Sequence, residues 1–169
     1  MSRTGAITFK GHPMTLAGEA VAVGSAGPDF QLHYYREGMQ TLSLSDLKGK
    51  KTLISVVPSL DTGVCAIQTK AFNEKVAALG DSVNAVTVSL DLPFAQGRFC
   101  GAEGIDNMQV ASDYQQRRFG QAYGVLIEEL MLLARAVFVL DEAGVVTHAE
   151  VVNEVTTEPD YDSALAALA

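Results

Sequence analysis

Cysteine is scarce in this chain. Only two occur, with no CxxC pair and no dense spacing, so a small disulfide-knit scaffold is excluded and any redox or metal role must come from context. Together with three scattered histidines they show no zinc-ligand spacing, and no metal is expected. Positive charge is also in short supply. Twelve Lys and Arg face twenty Asp and Glu, a formal net charge of -8, the wrong sign for holding a phosphate backbone, so nucleic acid is not an expected partner. No apolar run approaches the roughly 18 residues of a membrane span, and Lys10, His12 and Pro13 interrupt any signal-peptide core. The expected location is the cytoplasm, with no membrane partner.

What the chain does have suffices for a core. With 169 residues and a hydrophobic fraction of 48%, it fits a single domain over residues 1–169, with no linker, repeat or low-complexity segment. About the first twenty residues stand apart: "AITFKGHPMTLAG" reads as two short strands around a Gly-His-Pro turn, a hairpin appended to the main fold. "TLSLSDLKGKKTLISVV" then offers a short strand, a turn and a continuous apolar strand from about Leu53 to Val57, apolar enough to be central. From Cys65 to Leu79 the pattern is helical, with Phe72, Val76 and Leu79 at i, i+4 and i+7.

"VNAVTVSLD" is a second core strand. The following "LPFAQGRFCGAEG" is a short helix begun by Pro93 and ended by Gly101 or Gly104, so Cys100 lies near its end. "MQVAS" is a strand, "SDYQQRRFGQAYG" a helix capped by Ser112 or Asp113, and "RAVFVLDEAGVVTHAEVV" two strands joined at Asp-Glu-Ala-Gly. A helix over "EPDYDSALAALA" closes the chain. Strands alternating with helices and finishing in a hairpin predict an α/β fold, a mixed central sheet flanked by helices.

The chemistry concentrates in "PSLDTGVC", from Pro58 to Cys65, between a buried strand and a helix. Backbone N–H groups at a helix start carry partial positive charge and lack intrahelical partners, so they stabilise a thiolate. Thr62, three residues before Cys65, can bring its hydroxyl to the sulfur or to an atom of a bound substrate. Pro58 would stiffen the approach and shield one side, and Gly63 would let the backbone come close or adopt a positive φ. Each residue alone has an ordinary structural reading as a cap, a turn proline, a loop glycine or an inert buried thiol. The ordered spacing P-x-x-x-T-x-x-C is more specific.

That spacing resembles the peroxiredoxins. "PSLDTGVC", "SLDLPFAQGRFCGAEGIDN", "LLARAVFVLD" and "TTEPDYDSALAAL" are similar, in order and over nearly the whole chain, to the thiol peroxidase branch, the atypical two-cysteine peroxiredoxins; many members carry Pro where Gly63 stands. The resemblance implies a thioredoxin-like fold, Cys65 as the residue that attacks peroxide and Cys100 as the one that resolves it in an intrachain disulfide. It implies Arg135 as a buried cation beside the thiolate; an Arg in an apolar strand is costly unless paired, so a nearby anion is expected, the alternative being a structural salt bridge with a carboxylate. It further implies hydrogen peroxide and alkyl or lipid hydroperoxides as substrates, thioredoxin as reductant, a homodimer, and no cofactor. Leu92, Phe94, Leu126 and Ile127 are candidates to line an apolar substrate pocket, or else plain core residues.

Competing chemistries find less support. A cysteine hydrolase needs a histidine base, yet His12, His33 and His148 fall in a turn and two strand regions without a partner motif. A thioredoxin-type reductase lacks the second cysteine of CxxC, since Gln68 stands there. A redox sensor or holdase using the same cysteine pair remains open at this stage.

Overall fold

A computed structural model describes residues 1–169. In chain order its elements are β1 (Ser2–Phe9), β2 (His12–Ala17), β3 (Gln31–Tyr35), β4 (Met39–Ser43), α1 (Leu44–Leu47), β5 (Lys51–Val56) and α2 (Gly63–Ala77). There follow β6 (Val83–Ser89), α3 (Pro93–Glu103), β7 (Gln109–Ser112), α4 (Arg118–Ala122), β8 (Leu126–Ile127) and β9 (Leu132–Leu133). β10 (Ala136–Leu140), β11 (Val146–Val151) and α5 (Tyr161–Leu168) complete the chain.

Seven strands form the main sheet in the order β11-β10-β5-β6-β7-β3-β4. β5, β6 and β7 run parallel, joined by crossovers through α2 and α3, while the outer strands pair antiparallel. The expected mixed α/β sheet of thioredoxin-like type is thus present. β5 lies between β10 and β6, the interior place its unbroken apolar run calls for.

The pleat sends alternate residues to two cores. Leu53 and Val57, with Val137 and Val139, face α2 and α5, where Phe72, Val76, Ala164 and Leu168 cover them. Ile54 and Val56, with Ala136, Phe138 and Leu140, face the other way, onto Phe119, Tyr123 and the first hairpin. Ser55 shares the α2 side and is fully buried there, a polar residue in an apolar row.

The hairpin differs from its sequence reading. Its turn is Lys10–Gly11, with φ of 49° and 79°, because a two-residue turn whose twist matches its strands needs positive φ at both positions. His12 and Pro13 lie in β2, opposite Phe9 and Thr8. Nor is the hairpin peripheral: Ile7 and Leu16 are buried in the larger core, and β2 pairs with β8 in a second sheet ordered β1-β2-β8-β9.

The helix expected over Ser112–Gly124 shrinks to five residues. Ser112 ends β7, and Arg117, the residue before α4, sits at φ 54°, which breaks any continuous helix. Asp113 still serves as a cap from a distance, its carboxylate accepting from the N–H groups of Phe119 (3.1 Å) and Gly120 (2.8 Å). Burial pushes that carboxyl up to about 6, against the opposing pull of these two bonds and of Arg117.

Candidate active site

Cys65 is the third residue of α2 and is fully buried. Ala66 is the first residue of the helix whose N–H finds a carbonyl, that of Thr62 at 3.0 Å, so the N–H groups of Gly63, Val64 and Cys65 head the helix without intrahelical acceptors. Thr62 occupies the N-cap position, yet its hydroxyl does not cap. It lies 2.7 Å from Cys65 Sγ and 3.0 Å from the carbonyl oxygen of Ser59. One hydroxyl proton cannot serve both acceptors: it can rest on Ser59 while the oxygen accepts from a thiol, or turn to the sulfur of a thiolate.

Arg135 immediately precedes β10 and is 2% exposed. All three of its nitrogens are engaged: Nε donates to the Val155 carbonyl (2.8 Å), Nη1 to Gln68 Oε1 (3.0 Å) and Nη2 to Cys65 Sγ (3.5 Å). No carboxylate pairs with it. The chain's one ion pair joins Lys70 to Glu103 elsewhere, so the side-chain partners of the buried guanidinium are the Gln68 amide and the Cys65 sulfur.

Gln68 is a residue that reading the sequence for motifs passes over. Fully buried on α2, it accepts from Arg135 and donates through Nε2 to Ser55 Oγ at 2.8 Å, so β5, α2 and Arg135 are fixed in one hydrogen-bonded chain. The available signal was its place on a stripe with Cys65, Thr69, Phe72, Asn73 and Val76, the i+3 and i+4 neighbours that α2 buries. Asp91 was likewise missed. Its carboxylate accepts from Ser59 Oγ and the Leu60 N–H, both at 2.9 Å, and from Ser89 Oγ at 2.6 Å, pinning the loop before Thr62 to the end of β6.

Pro58 is buried and, with Thr62 and Arg135, borders a cavity of about 320 Å³ whose other walls are Phe9, Lys10, Gly63, Val64, Val155 and Thr156. Of the two freedoms foreseen for Gly63, a positive φ is not used, and within the protein a Cβ there would meet nothing within 4 Å. As first residue of α2 it occupies a place that suits Pro.

The four apolar pocket candidates are not among these walls. Leu126 and Ile127 are buried core residues of β8, held by pairing with β2. Their assignment to a substrate pocket is corrected, because the hairpin covers them. Leu92 and Phe94 are more than half exposed and border a separate hollow with Ala95 and Arg98.

Cys100 lies on α3, partly buried and unbonded to Cys65. Burial pushes its thiol up, so it stays protonated at neutral pH. Its carbonyl accepts the bonds that end α3, from the N–H groups of Gly104, at φ 67°, and Ile105 (3.0 Å). Of the two glycines expected to end this helix, Gly104 does so and Gly101 lies within it. Asn73 of α2 holds this end from outside: its side chain donates to the Gly104 carbonyl (3.3 Å) and accepts from the Asn107 N–H (2.9 Å).

Residues 22–165 match the family model described as Redoxin. A thiol peroxidase of Bacillus subtilis (strain 168) is 55% identical over 161 residues, 95% of each chain. One from Streptococcus sanguinis is 50% identical, over 95% of this chain and 97% of that one. Among solved structures, a peroxiredoxin-like protein from Aquifex aeolicus superposes with a TM-score of 0.89 at 40% identity, over 98% of this chain and 95% of its own.

Proposed function

Since this chain belongs to the Redoxin family and is a thiol peroxidase, we propose that Cys65 is its peroxide-attacking residue and that Cys100 resolves it within the same chain. The observation that carries this reading is the buried Cys65 sulfur, met by the Thr62 hydroxyl and by an Arg135 that has no carboxylate partner.

In the first step the Cys65 thiolate attacks one peroxide oxygen, the O–O bond breaks, a sulfenic acid forms, and the leaving oxygen departs as water or an alcohol after taking a proton. Arg135 favours the anion on sulfur, while Thr62 and the unpartnered N–H groups at the start of α2 can hold the peroxide in line and stabilise charge on the leaving oxygen. Gln68 positions the guanidinium. Pro58 closes one side of the approach, and no cofactor is needed.

In the second step the Cys100 thiol condenses with the sulfenic acid, giving a disulfide and water. An external dithiol, thioredoxin, then attacks that disulfide and restores both thiols. Hydrogen peroxide and organic hydroperoxides are the substrates. The uncovered Leu92 and Phe94 suit the contact of a homodimer.

Two measurements test this. Turnover driven by thioredoxin and its reductase, with hydrogen peroxide and with a bulky organic hydroperoxide, is expected to be continuous. Consumption of one equivalent followed by arrest, with reductant in excess, would instead mark a redox sensor. Mass spectrometry after one equivalent of peroxide is expected to find a Cys65–Cys100 link in a monomer-sized chain. A disulfide-linked dimer as main product would overturn intrachain resolution.

A further inference from the structure

The cavity beside Thr62 and Arg135 has an unusual charge for this molecule. The chain carries a net charge of -8, yet this cavity is bordered by two cations, Arg135 and Lys10, and by no carboxylate side chain. Its remaining walls include the apolar Phe9, Val64 and Val155. A cleft lined by one sign of charge concentrates ligands of the opposite sign. Arg135 is spent at the floor, with every nitrogen engaged, whereas Lys10 is exposed and its ammonium has no carboxylate within ion-pair distance.

Lys10 is also held in place by its backbone. It sits at φ 49° in the hairpin turn, a conformation uncommon for a residue with a side chain, and Glu154 fastens that turn to the chain after β11. One Glu154 oxygen accepts from the Gly11 N–H (2.8 Å) and Thr8 Oγ1 (3.0 Å). The other accepts from the Lys10 N–H (3.2 Å) and from the N–H and hydroxyl of Thr156 (2.9 and 2.7 Å). The bonds from Thr156, Gly11 and Thr8 hold the Glu154 carboxyl at about 2, so it remains ionised and fastened to the turn.

We propose that Lys10 determines specificity, selecting hydroperoxides that carry a carboxylate on an apolar body, such as fatty-acid hydroperoxides, over neutral ones of the same shape. The peroxide group would reach Cys65 past Thr62, the hydrocarbon would lie against Phe9, Val64 and Val155, and the carboxylate would meet the Lys10 ammonium at the rim. This inference rests on the peroxidase reading and deepens it.

The test compares kcat/KM for a long-chain fatty-acid hydroperoxide and for its methyl ester, both below their micelle concentrations, with hydrogen peroxide as a third substrate. A rim-exposed ion pair supplies a modest preference, so the wild-type chain is expected to favour the acid by about fivefold, mainly through KM, and to lose part of that preference at high salt. Lys10→Gln is expected to bring the acid-to-ester ratio to about one, Lys10→Glu below one, and Lys10→Arg to restore it. A wild-type ratio of one, or a ratio that survives in Lys10→Gln, overturns the inference while leaving the peroxidase reading intact. Failure of the wild-type chain to consume any of the three substrates overturns both.

Discussion

The start of α2 and the end of α3 each carry one cysteine, and the two regions are built on opposite plans. Around Cys65 the neighbours are tied to distant segments: Gln68 to Ser55 of β5, Arg135 to Val155 after β11, and the approach loop to Asp91 just past β6. Around Cys100 the helix contains Gly97 and Gly101, where a Cβ would meet nothing, and ends at an αL glycine held by Asn73, with an exposed Lys70–Glu103 ion pair beside it. Cys65 is fully buried and braced from several segments, whereas Cys100 is partly exposed. Such a contrast suits a nucleophile that must be positioned before its substrate arrives and a partner that must leave its helix to reach it.

The substitution with the greatest effect, Cys65→Ser, removes the rigid region's purpose. Peroxide consumption is expected to fall to background in a coupled assay, because a serine hydroxyl is neither ionised nor soft enough to attack. Turnover that survives would place the chemistry elsewhere. Cys100→Ser acts on the other region. It is expected to reduce about one equivalent of peroxide per chain and then to lose thioredoxin-driven turnover, with faster inactivation in excess peroxide as the sulfenic acid oxidises further. Full turnover by that variant would make Cys100 dispensable.

Arg135→Met keeps both cysteines but removes the cation, and strands Gln68 without its donor. The second-order rate with peroxide is expected to drop about 100-fold, as for loss of one oriented donor at a reacting anion, with disulfide closure after oxidation little changed. Rapid-quench mass spectrometry separates the two steps. An equal slowing of both would erase the distinction between the regions.

Two smaller changes act on the α3 end alone. Asn73→Ala removes the bonds to Gly104 and Asn107 and is expected to speed disulfide closure several-fold after a pulse of peroxide, with less sulfinic acid formed. Gly101→Ala works the other way. The added methyl has room and stabilises a helix interior by about 0.5–1 kcal/mol, so closure is expected to slow by roughly two- to fivefold. If neither variant alters closure, the end of α3 does not control it.

Much of the rigid region was legible in the sequence because its parts are local. Pro58, Thr62 and Cys65 lie within one strand-to-helix turn, and helical spacing carries Cys65 straight onto a buried stripe. What escaped depends on contacts between distant segments. Gln68, Asn73 and Asp91 look like ordinary polar residues until Ser55, Asn107 and Ser59 are brought against them. Leu126 and Ile127 failed in the converse sense, since an apolar pair reads alike in a pocket and in a core, and only pairing with β2 decides between them. The helix expected over Ser112–Gly124 failed because one left-handed residue, Arg117, interrupts a segment whose composition allows continuation.

The walls of the cavity come from segments far apart in the sequence: Phe9 and Lys10 from the first hairpin, Pro58, Thr62, Gly63 and Val64 from the approach to α2 and its start, Arg135, and Val155 and Thr156 from after β11, with the Val155 N–H donating to the Thr8 carbonyl. Synthesis makes Phe9 long before Val155. Until then Arg135 lacks the carbonyl that holds its Nε, and the hairpin has no Glu154 to fasten it. If Cys65 is the peroxide-attacking residue, the Arg135 beside its sulfur is held in position only once the segment around Val155 has been made and folded against it.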